Sequence, residues 1–218
     1  MSSRRPFDSV PRLRSAQSRA SERESRDAQA GVPSRVEGRR GLIIIYTGNG
    51  KGKTTAARGM VLRALGHGWR VLVIQFFKGD WPVVFGEIEM AKRLAPQLEV
   101  LQLGKGFVKH MGDQKPFEEH LAAAQEALRV ARERITSGAY DLIVLDELIY
   151  AIDYAGVQLI SLEEVLSLLD AKPPTLHMVL TGRNAPQALI DRADLVTQMQ
   201  EIKHPWQQKI PAQVGVDY

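Results

Sequence analysis

The stretch LIIIYTGNGKGKTT, residues 42–55, decides the fold of this chain. Its first five residues form an apolar run bounded by a glycine, which predicts a buried strand. Alternating glycines follow at once, and apolar residues then recur at helical spacing up to Gly66, placed where a C-terminal helix cap belongs. Where a strand, a Gly-rich loop and a helix follow one another directly, the backbone N–H groups of the loop and the N-terminus of the helix can bind the same anion. Residues 47–55 are therefore predicted to bind the phosphates of a nucleotide.

The end of this loop carries the two side chains that a nucleotide-phosphate site requires. In the pattern GxxxxGK[ST], the lysine reaches the β- and γ-phosphates and the hydroxyl is offered to Mg²⁺. Lys53 and Thr54 hold these positions, although the first glycine of the pattern falls on Thr47 and glycine appears one residue later. The candidate ATP-binding residues of the loop are Gly48, Asn49, Gly50, Lys51, Gly52, Lys53, Thr54 and Thr55.

A second half of the site is predicted at residues 140–147, where the apolar run YDLIVL is followed by Asp146 and Glu147. A carboxylate at the end of a buried strand can hold the magnesium ion of a bound nucleotide or the water of that ion. The predicted metal ligands are Thr54 with Asp146 or Glu147, and the sequence leaves open which carboxylate binds Mg²⁺ directly. Lys53, Thr54 and Glu147 are the candidate catalytic residues.

From residue 41 onward, short apolar runs alternate with amphipathic stretches, which is typical of α/β domains. The predicted strands are 42–46, 70–77, 98–103, 140–145, 176–180 and 195–199, and the longest predicted helix is opened by Pro116. Ser161 and Glu164 have capping-box spacing at the start of another helix. These patterns predict an α/β, P-loop NTPase-like three-layer fold with a mostly parallel central sheet.

Composition excludes several classes of protein. The 218 residues include no cysteine, which removes disulfides, Cys-based metal sites and thiolate nucleophiles, and suits a cytoplasmic protein. No apolar run is long enough for a membrane span, and the N-terminus lacks the apolar segment of a secretory signal. We therefore expect neither membrane insertion nor export.

The positive net charge belongs to the first 40 residues. Residues 1–40 hold ten Arg, eight Ser and five acidic residues, a composition that predicts a flexible N-terminal extension. The remaining residues, 41–218, are slightly acidic and form the predicted catalytic domain. Phe7 is the only aromatic residue of the extension, so aromatic side chains do not alternate with its arginines and we do not expect a nucleic-acid partner.

Several further motifs carry a resemblance to a known family. They are GNGKGKTT (48–55), GHG (66–68), QFFKGDWP (75–82), GF (106–107), LDEL (145–148), TGR (181–183), IKHP (202–205) and GVDY (215–218). Together, in this order, they resemble the P-loop ATP:corrinoid adenosyltransferases over about residues 41–218. The resemblance implies that Co(I) of a reduced corrinoid attacks C5′ of ATP and that triphosphate leaves, in adenosylcobalamin biosynthesis or salvage. It also implies a homodimer and a separate reductase, a flavoprotein, that supplies Co(I).

The resemblance also implies roles for four residues outside the loop and the carboxylate pair. Arg183 follows a predicted strand and is expected to contact phosphate. Phe107 corresponds to an aromatic residue placed against the corrinoid, and Trp81 is expected to line the same cavity. Lys109 is the third candidate corrinoid-binding residue; it stands where some relatives have Trp, which leaves the preferred corrinoid open.

One alternative needs only the loop and the carboxylates. A P-loop ATPase or kinase that cleaves the γ-phosphate has the same two elements, and a glutamate after the magnesium aspartate can orient a water molecule for attack. Glu147 holds that position. The identity of the phosphate product distinguishes this alternative from adenosyl transfer.

Overall fold

A computed structural model describes residues 39–79, 85–108, 112–153 and 156–218, and Arg40–Tyr218 form one compact unit. Six strands form one sheet in the order β3-β2-β4-β5-β1-β6, and all the pairings are parallel. The strands are β1 Ile43–Thr47, β2 Val71–Gln75, β3 Leu98–Gln102, β4 Leu142–Asp146, β5 His177–Thr181 and β6 Leu195–Gln198. The described helices are α1 Lys53–Gly66, α2 Gly86–Leu94, α3 Phe117–Thr136, α4 Leu148–Ile152, α5 Leu162–Asp170 and α6 Gln187–Arg192, with a 3₁₀ turn at Pro205–Gln208.

Helices cover both faces of the sheet. In β2, Leu72 and Ile74 belong to a core cluster with residues of α3, α4 and α5, whereas Val71 and Val73 belong to a second cluster with residues of α1 and α2. Because successive side chains of a strand point to opposite faces, a strand buried on both faces reads as a continuous apolar run. The predicted three-layer α/β fold is confirmed, and the mostly parallel sheet is entirely parallel among its described strands.

The topology brings distant residues to one edge. All six strands run in the same direction, so their carboxyl ends, where ligands bind in such sheets, share one edge. β1 lies between β5 and β6, and β4 lies between β5 and β2. The Gly-rich loop that leaves β1 therefore faces the residues that follow β2, β4 and β5.

The sequence analysis differs from the structure at a few points. The short helices α2, α4 and α6 were not predicted. Gly66 is the last helical residue rather than the left-handed cap, and the positive φ of 66° occurs two residues later at Gly68. The predicted N-terminal extension, apart from its last two residues, together with Trp81 and Lys109, lies outside the described residues. Within the described part of the chain, no helix has both the length and the apolar character needed to cross a membrane.

Candidate active site at the sheet edge

The Gly-rich loop turns sharply between β1 and α1. Gly48 and Gly52 have φ values of 95° and 113°, a region that L side chains rarely adopt. A Cβ on Gly48 would also lie 2.3 Å from the carbonyl oxygen of Met199, so the loop is packed against the segment after β6. The amide of Gly50 donates to the same Met199 oxygen at 2.9 Å. The loop glycines thus serve packing within the protein as well as the approach of a phosphate.

The ammonium of Lys53 is folded back into the loop. Its Nζ donates to the carbonyl oxygens of Gly48 and Gly50, both at 2.7 Å. Burial, followed by the nearby Arg183 charge, holds the pKa of Lys53 below its usual value, while Glu147 acts in the opposite direction. A partly buried cation at the N-terminus of α1 is well placed to exchange these carbonyl oxygens for phosphate oxygens.

Asp146, at the end of β4, is the fully buried centre of a hydrogen-bond network. Its Oδ1 accepts from the hydroxyl of Thr54 at 2.9 Å and from the hydroxyl of Thr181 at 2.8 Å. Its Oδ2 lies 3.5 Å from Nε2 of Gln75 and 3.7 Å from Nζ of Lys78. The carboxylate is therefore oriented from four sides before any ligand is present.

Three of these partners were missed in the sequence analysis: Gln75, Lys78 and Thr181. Each lies at or just after the carboxyl end of a strand next to β4, namely β2 or β5. The sequence indicates that each of these residues lies near the end of a strand. Only the order of the strands in the sheet shows that these ends lie beside Asp146. Lys78 also lies 4.8 Å from the ring centroid of Phe85, where the ring face favours a cation.

Glu147 is held in a rare backbone conformation beside Asp146. Its φ of 66° and ψ of 10° are left-handed, and its amide donates to the Thr181 hydroxyl at 2.8 Å. Its Oε2 is buried and has no hydrogen-bond partner among the described residues. Burial and then the Asp146 charge raise the pKa of Glu147 to about 7. A buried carboxyl with an unused oxygen is suited to binding a cation or a water molecule.

The donor set at this point fits Mg²⁺. The ion prefers oxygen ligands, keeps several waters and is usually held by one or two protein side chains together with substrate phosphates. The Thr54 hydroxyl and the Asp146 carboxylate are already in contact, and Glu147 is adjacent. Among residues 39–79, 85–108, 112–153 and 156–218, no group of three or more His, Asp or Glu side chains could hold a metal by itself. Thr54 and Asp146, with Glu147 beside them, are therefore the described residues that could hold such an ion together with phosphate oxygens.

These groups open into a cleft of about 620 Å³. The sequence-predicted residues that line it are Asn49, Gly50, Lys51, Gly52, Lys53, Thr54, Thr55, Glu147 and Arg183. Residues 215–218 also line the cleft, and Asp217 of this segment forms an ion pair with Lys51 of the loop. Arg58, Lys78 and Tyr150 also line the cleft but were not predicted.

Phe107 lies in an aromatic cluster next to the cleft. Its ring is stacked on Phe77, with centroids 4.8 Å apart and planes 11° from parallel. Its edge contact with Tyr150, at 5.8 Å, connects it to a residue of the cleft wall. Phe107 is only partly buried, so the cluster provides an apolar surface on the sheet face that carries α3, α4 and α5.

Comparison with known proteins identifies the family. Residues 39–218 match the family model described as ATP:corrinoid adenosyltransferase BtuR/CobO/CobP. The corrinoid adenosyltransferase of Escherichia coli K12 is 35% identical over 85% of this chain and 89% of its own length. The Salmonella typhimurium enzyme is 36% identical, covering 87% and 95% of the two chains, and the Sinorhizobium enzyme is 40% identical, covering 82% and 81%. The resemblance seen in the sequence is thereby confirmed, and the chain belongs to the ATP:corrinoid adenosyltransferase family.

Proposed function

We propose that this chain transfers the 5′-deoxyadenosyl group of ATP to Co(I) of a reduced corrinoid. The Co(I) electron pair forms the bond to C5′, the C5′–O5′ bond breaks, and triphosphate leaves with the electrons of that bond. Cobalt is thus formally oxidised from Co(I) to Co(III), and no other electron acceptor is required. Family membership carries the proposal, and the cleft supplies the groups that hold the leaving phosphates.

The chemistry assigns the protein a positioning and charge-stabilising role. Co(I) is itself a strong nucleophile, so an activated Ser, Cys or Lys is not needed. The leaving group develops negative charge, which the Lys53 ammonium and the N-terminus of α1 are placed to stabilise. Holding C5′ in line with the cobalt supplies the rest of the rate enhancement.

Mg²⁺ belongs to this proposal as the ion that accompanies ATP. Thr54 and Asp146 are the side chains that would hold it, with Glu147 holding one of its waters. When bound, the ion supplies positive charge to the phosphate oxygens. Thr181 and Gln75 keep the Asp146 carboxylate in place, because both contact its oxygens.

The corrinoid is assigned to the cleft side that carries the aromatic cluster of Phe77, Phe107 and Tyr150. We infer that Phe107 faces the corrinoid. Trp81 and Lys109, which lie outside the described residues, belong to the proposal as further corrinoid-binding residues. The proposal further includes a cytoplasmic location, a homodimer and a flavoprotein reductase that delivers Co(I).

An anaerobic assay tests the proposed reaction. The protein is mixed with Mg-ATP and chemically reduced corrinoid, the cobalt absorption bands are followed, and the phosphate product is identified. A light-sensitive adenosylcorrinoid with free triphosphate is the expected result. Formation of ADP and orthophosphate with unchanged corrinoid would instead support the ATPase or kinase alternative, in which the buried Glu147 carboxyl orients the attacking water.

The variant Lys53→Ala tests the role of the phosphate loop in this reaction. Loss of the ammonium is expected to reduce turnover by at least about 100-fold, since removal of one charge-stabilising donor commonly has this effect. The circular dichroism spectrum should remain that of the wild type, because Lys53 contacts only loop carbonyls in the described structure. Wild-type turnover by this variant would overturn the assignment of the loop.

A further inference from the structure

Arg58 lies on the cleft side of α1, four residues after Thr54. Residues four apart share one face of a helix, and each Cα–Cβ bond is tilted toward the helix N-terminus. The Arg58 side chain therefore extends over the turn that carries Thr54, toward the phosphate loop. Both residues line the same cleft, together with Gly86 and Glu87 at the start of α2.

The Arg58 guanidinium has donors without acceptors. Nη2 lies 3.5 Å from Oε1 of Glu87, a long contact, and the side chain is only 17% exposed. Nε and Nη1 are buried and have no hydrogen-bond partner in the part of the chain that the structure describes. A guanidinium stays charged at all accessible pH values, and leaving its N–H groups buried and unpaired costs free energy. Among the described residues, Nε and Nη1 are therefore left to donate to a ligand.

The neighbouring charges indicate the kind of anion. Lys53, Lys78 and Arg183 line the same cleft as Arg58, and so do four carboxylates, those of Glu87, Glu147, Glu201 and Asp217. The contacts of Arg58 with Glu87 and of Lys78 with Asp146 are long, at 3.5 and 3.7 Å. Several cations that face one space favour a ligand with several negative charges over a single carboxylate. A chain of phosphates has that property.

The position of Arg58 also separates it from the aromatic cluster. The helix α1 packs on the sheet face whose core includes Ala57 and Val61, whereas Phe107 packs on the opposite face with α3, α4 and α5. A ligand group that meets Arg58 therefore approaches from the α1 and α2 side of the sheet edge. That side holds the phosphate loop.

We propose that Arg58 binds the triphosphate group, both in ATP and as the leaving group, and exchanges its long contact with Glu87 for phosphate oxygens. The proposal rests on the proposed function, because it deepens the role of the same cleft. It makes Arg58 a residue that touches the substrate, in addition to the loop lysine. The exchange explains why a buried guanidinium is kept with two unused donors.

Binding of inorganic tripolyphosphate with Mg²⁺, measured by isothermal titration calorimetry on the full chain, tests this role without corrinoid. Arg58→Met and Arg58→Gln are expected to weaken binding by about 10- to 100-fold, the usual effect of losing hydrogen bonds to a charged group. Arg63→Met is the matched control, because Arg63 is an exposed residue in the last turn of the same helix. It should bind like the wild type. The thermal midpoints of both Arg58 variants should equal or exceed that of the wild type, since a buried unpaired charge is removed.

The outcomes separate this proposal from the proposed function. If the wild type binds tripolyphosphate, Lys53→Ala weakens it and neither Arg58 variant does, the role of Arg58 is overturned and the phosphate site stands. A higher KM for corrinoid in the Arg58 variants with unchanged tripolyphosphate binding would likewise overturn it. If the wild type does not bind tripolyphosphate, or Lys53→Ala has no effect on that binding, the phosphate site falls and the role of Arg58 falls with it. Adenosyl transfer is tested separately, by the product of the anaerobic assay.

Discussion

Glu147 concentrates two unfavourable features at one residue. A non-glycine residue with φ of 66° is strained, and its carboxyl is buried with one oxygen unpartnered among the described groups. The hydrogen bond from its amide to Thr181 and the start of α4 keep the backbone in this conformation. Strain and desolvation of this kind persist where a site needs a group held ready. At Glu147 the held group is a carboxyl at the wall of the cleft.

The pKa of Glu147 predicts a pH dependence of stability in the absence of metal and nucleotide. Between pH 4.5 and about 7, the unfolded chain has released this proton while the folded chain retains it, so the free energy of unfolding decreases as the pH rises. Glu147→Gln has no such titration. The free energy of unfolding of Glu147→Gln minus that of the wild type should therefore increase by about 3 kcal/mol between pH 4.5 and 7.5.

Urea unfolding in a chelating buffer at several pH values measures this difference. Glu118→Gln, at an exposed position in the first turn of α3, is the control for the removal of a carboxylate. Parallel pH curves for the wild type and Glu147→Gln would show that the carboxyl titrates as it does in the unfolded chain.

At the scale of elements, α5 is stabilised by a local motif. The Ser161 hydroxyl accepts from the Glu164 amide at 3.1 Å, and a Glu164 carboxylate oxygen accepts from the Ser161 amide at 2.7 Å. Ser161→Ala is expected to lower the free energy of unfolding by about 1 kcal/mol, the usual effect of losing an N-cap side chain. The thermal midpoint should fall by about 2 to 4 °C for a chain of this size.

The control for this prediction is Glu163→Gln, since Glu163 lies in the same turn and outside the capping box. Scanning calorimetry of the two variants and the wild type gives the comparison. An unchanged midpoint in Ser161→Ala would mean that water replaces the hydroxyl without cost.

The capping box also shows which elements sequence reasoning can find. It predicted α5 from two residues three apart, and apolar runs predicted all six strands, because these signals are local. Helix α4 was missed because its five residues, LIYAI, are too few and too uniformly apolar to show a helical repeat of apolar and polar positions, and they come soon after an apolar strand. Helix α2 was missed because it is nine residues long and Ala91 is its only buried residue.

The same limit applies to the site. Lys53, Thr54, Asp146 and Glu147 were found because each lies in a motif that is contiguous in sequence. Gln75, Lys78 and Thr181 contact the Asp146 network only because β2 and β5 flank β4, and no local pattern contains that order.

For the whole molecule, the structure brings charged side chains from distant segments into one cleft. Its lining includes five cations and four carboxylates: Lys51, Lys53, Arg58, Lys78 and Arg183, and Glu87, Glu147, Glu201 and Asp217. The C-terminal residues 215–218 close one side, with Asp217 paired to Lys51. A polyanion that enters this cleft therefore meets cations supplied by segments that are far apart in the chain, and it should stabilise the fold as a whole.

Mg-ATP is accordingly expected to raise the thermal midpoint of the wild type. A ligand that binds only the folded state adds about 2.7 kcal/mol of stability when it is present at 100 times its Kd. For a chain of this size, that increase corresponds to a rise of about 5 to 10 °C. Lys53→Ala should lose most of the rise, because the ammonium between the loop carbonyls is the cation nearest the helix N-terminus. Differential scanning fluorimetry with Mg-ATP, and with ATP in excess chelator, measures both effects. An equal rise in the wild type and in Lys53→Ala would place ATP elsewhere on the molecule.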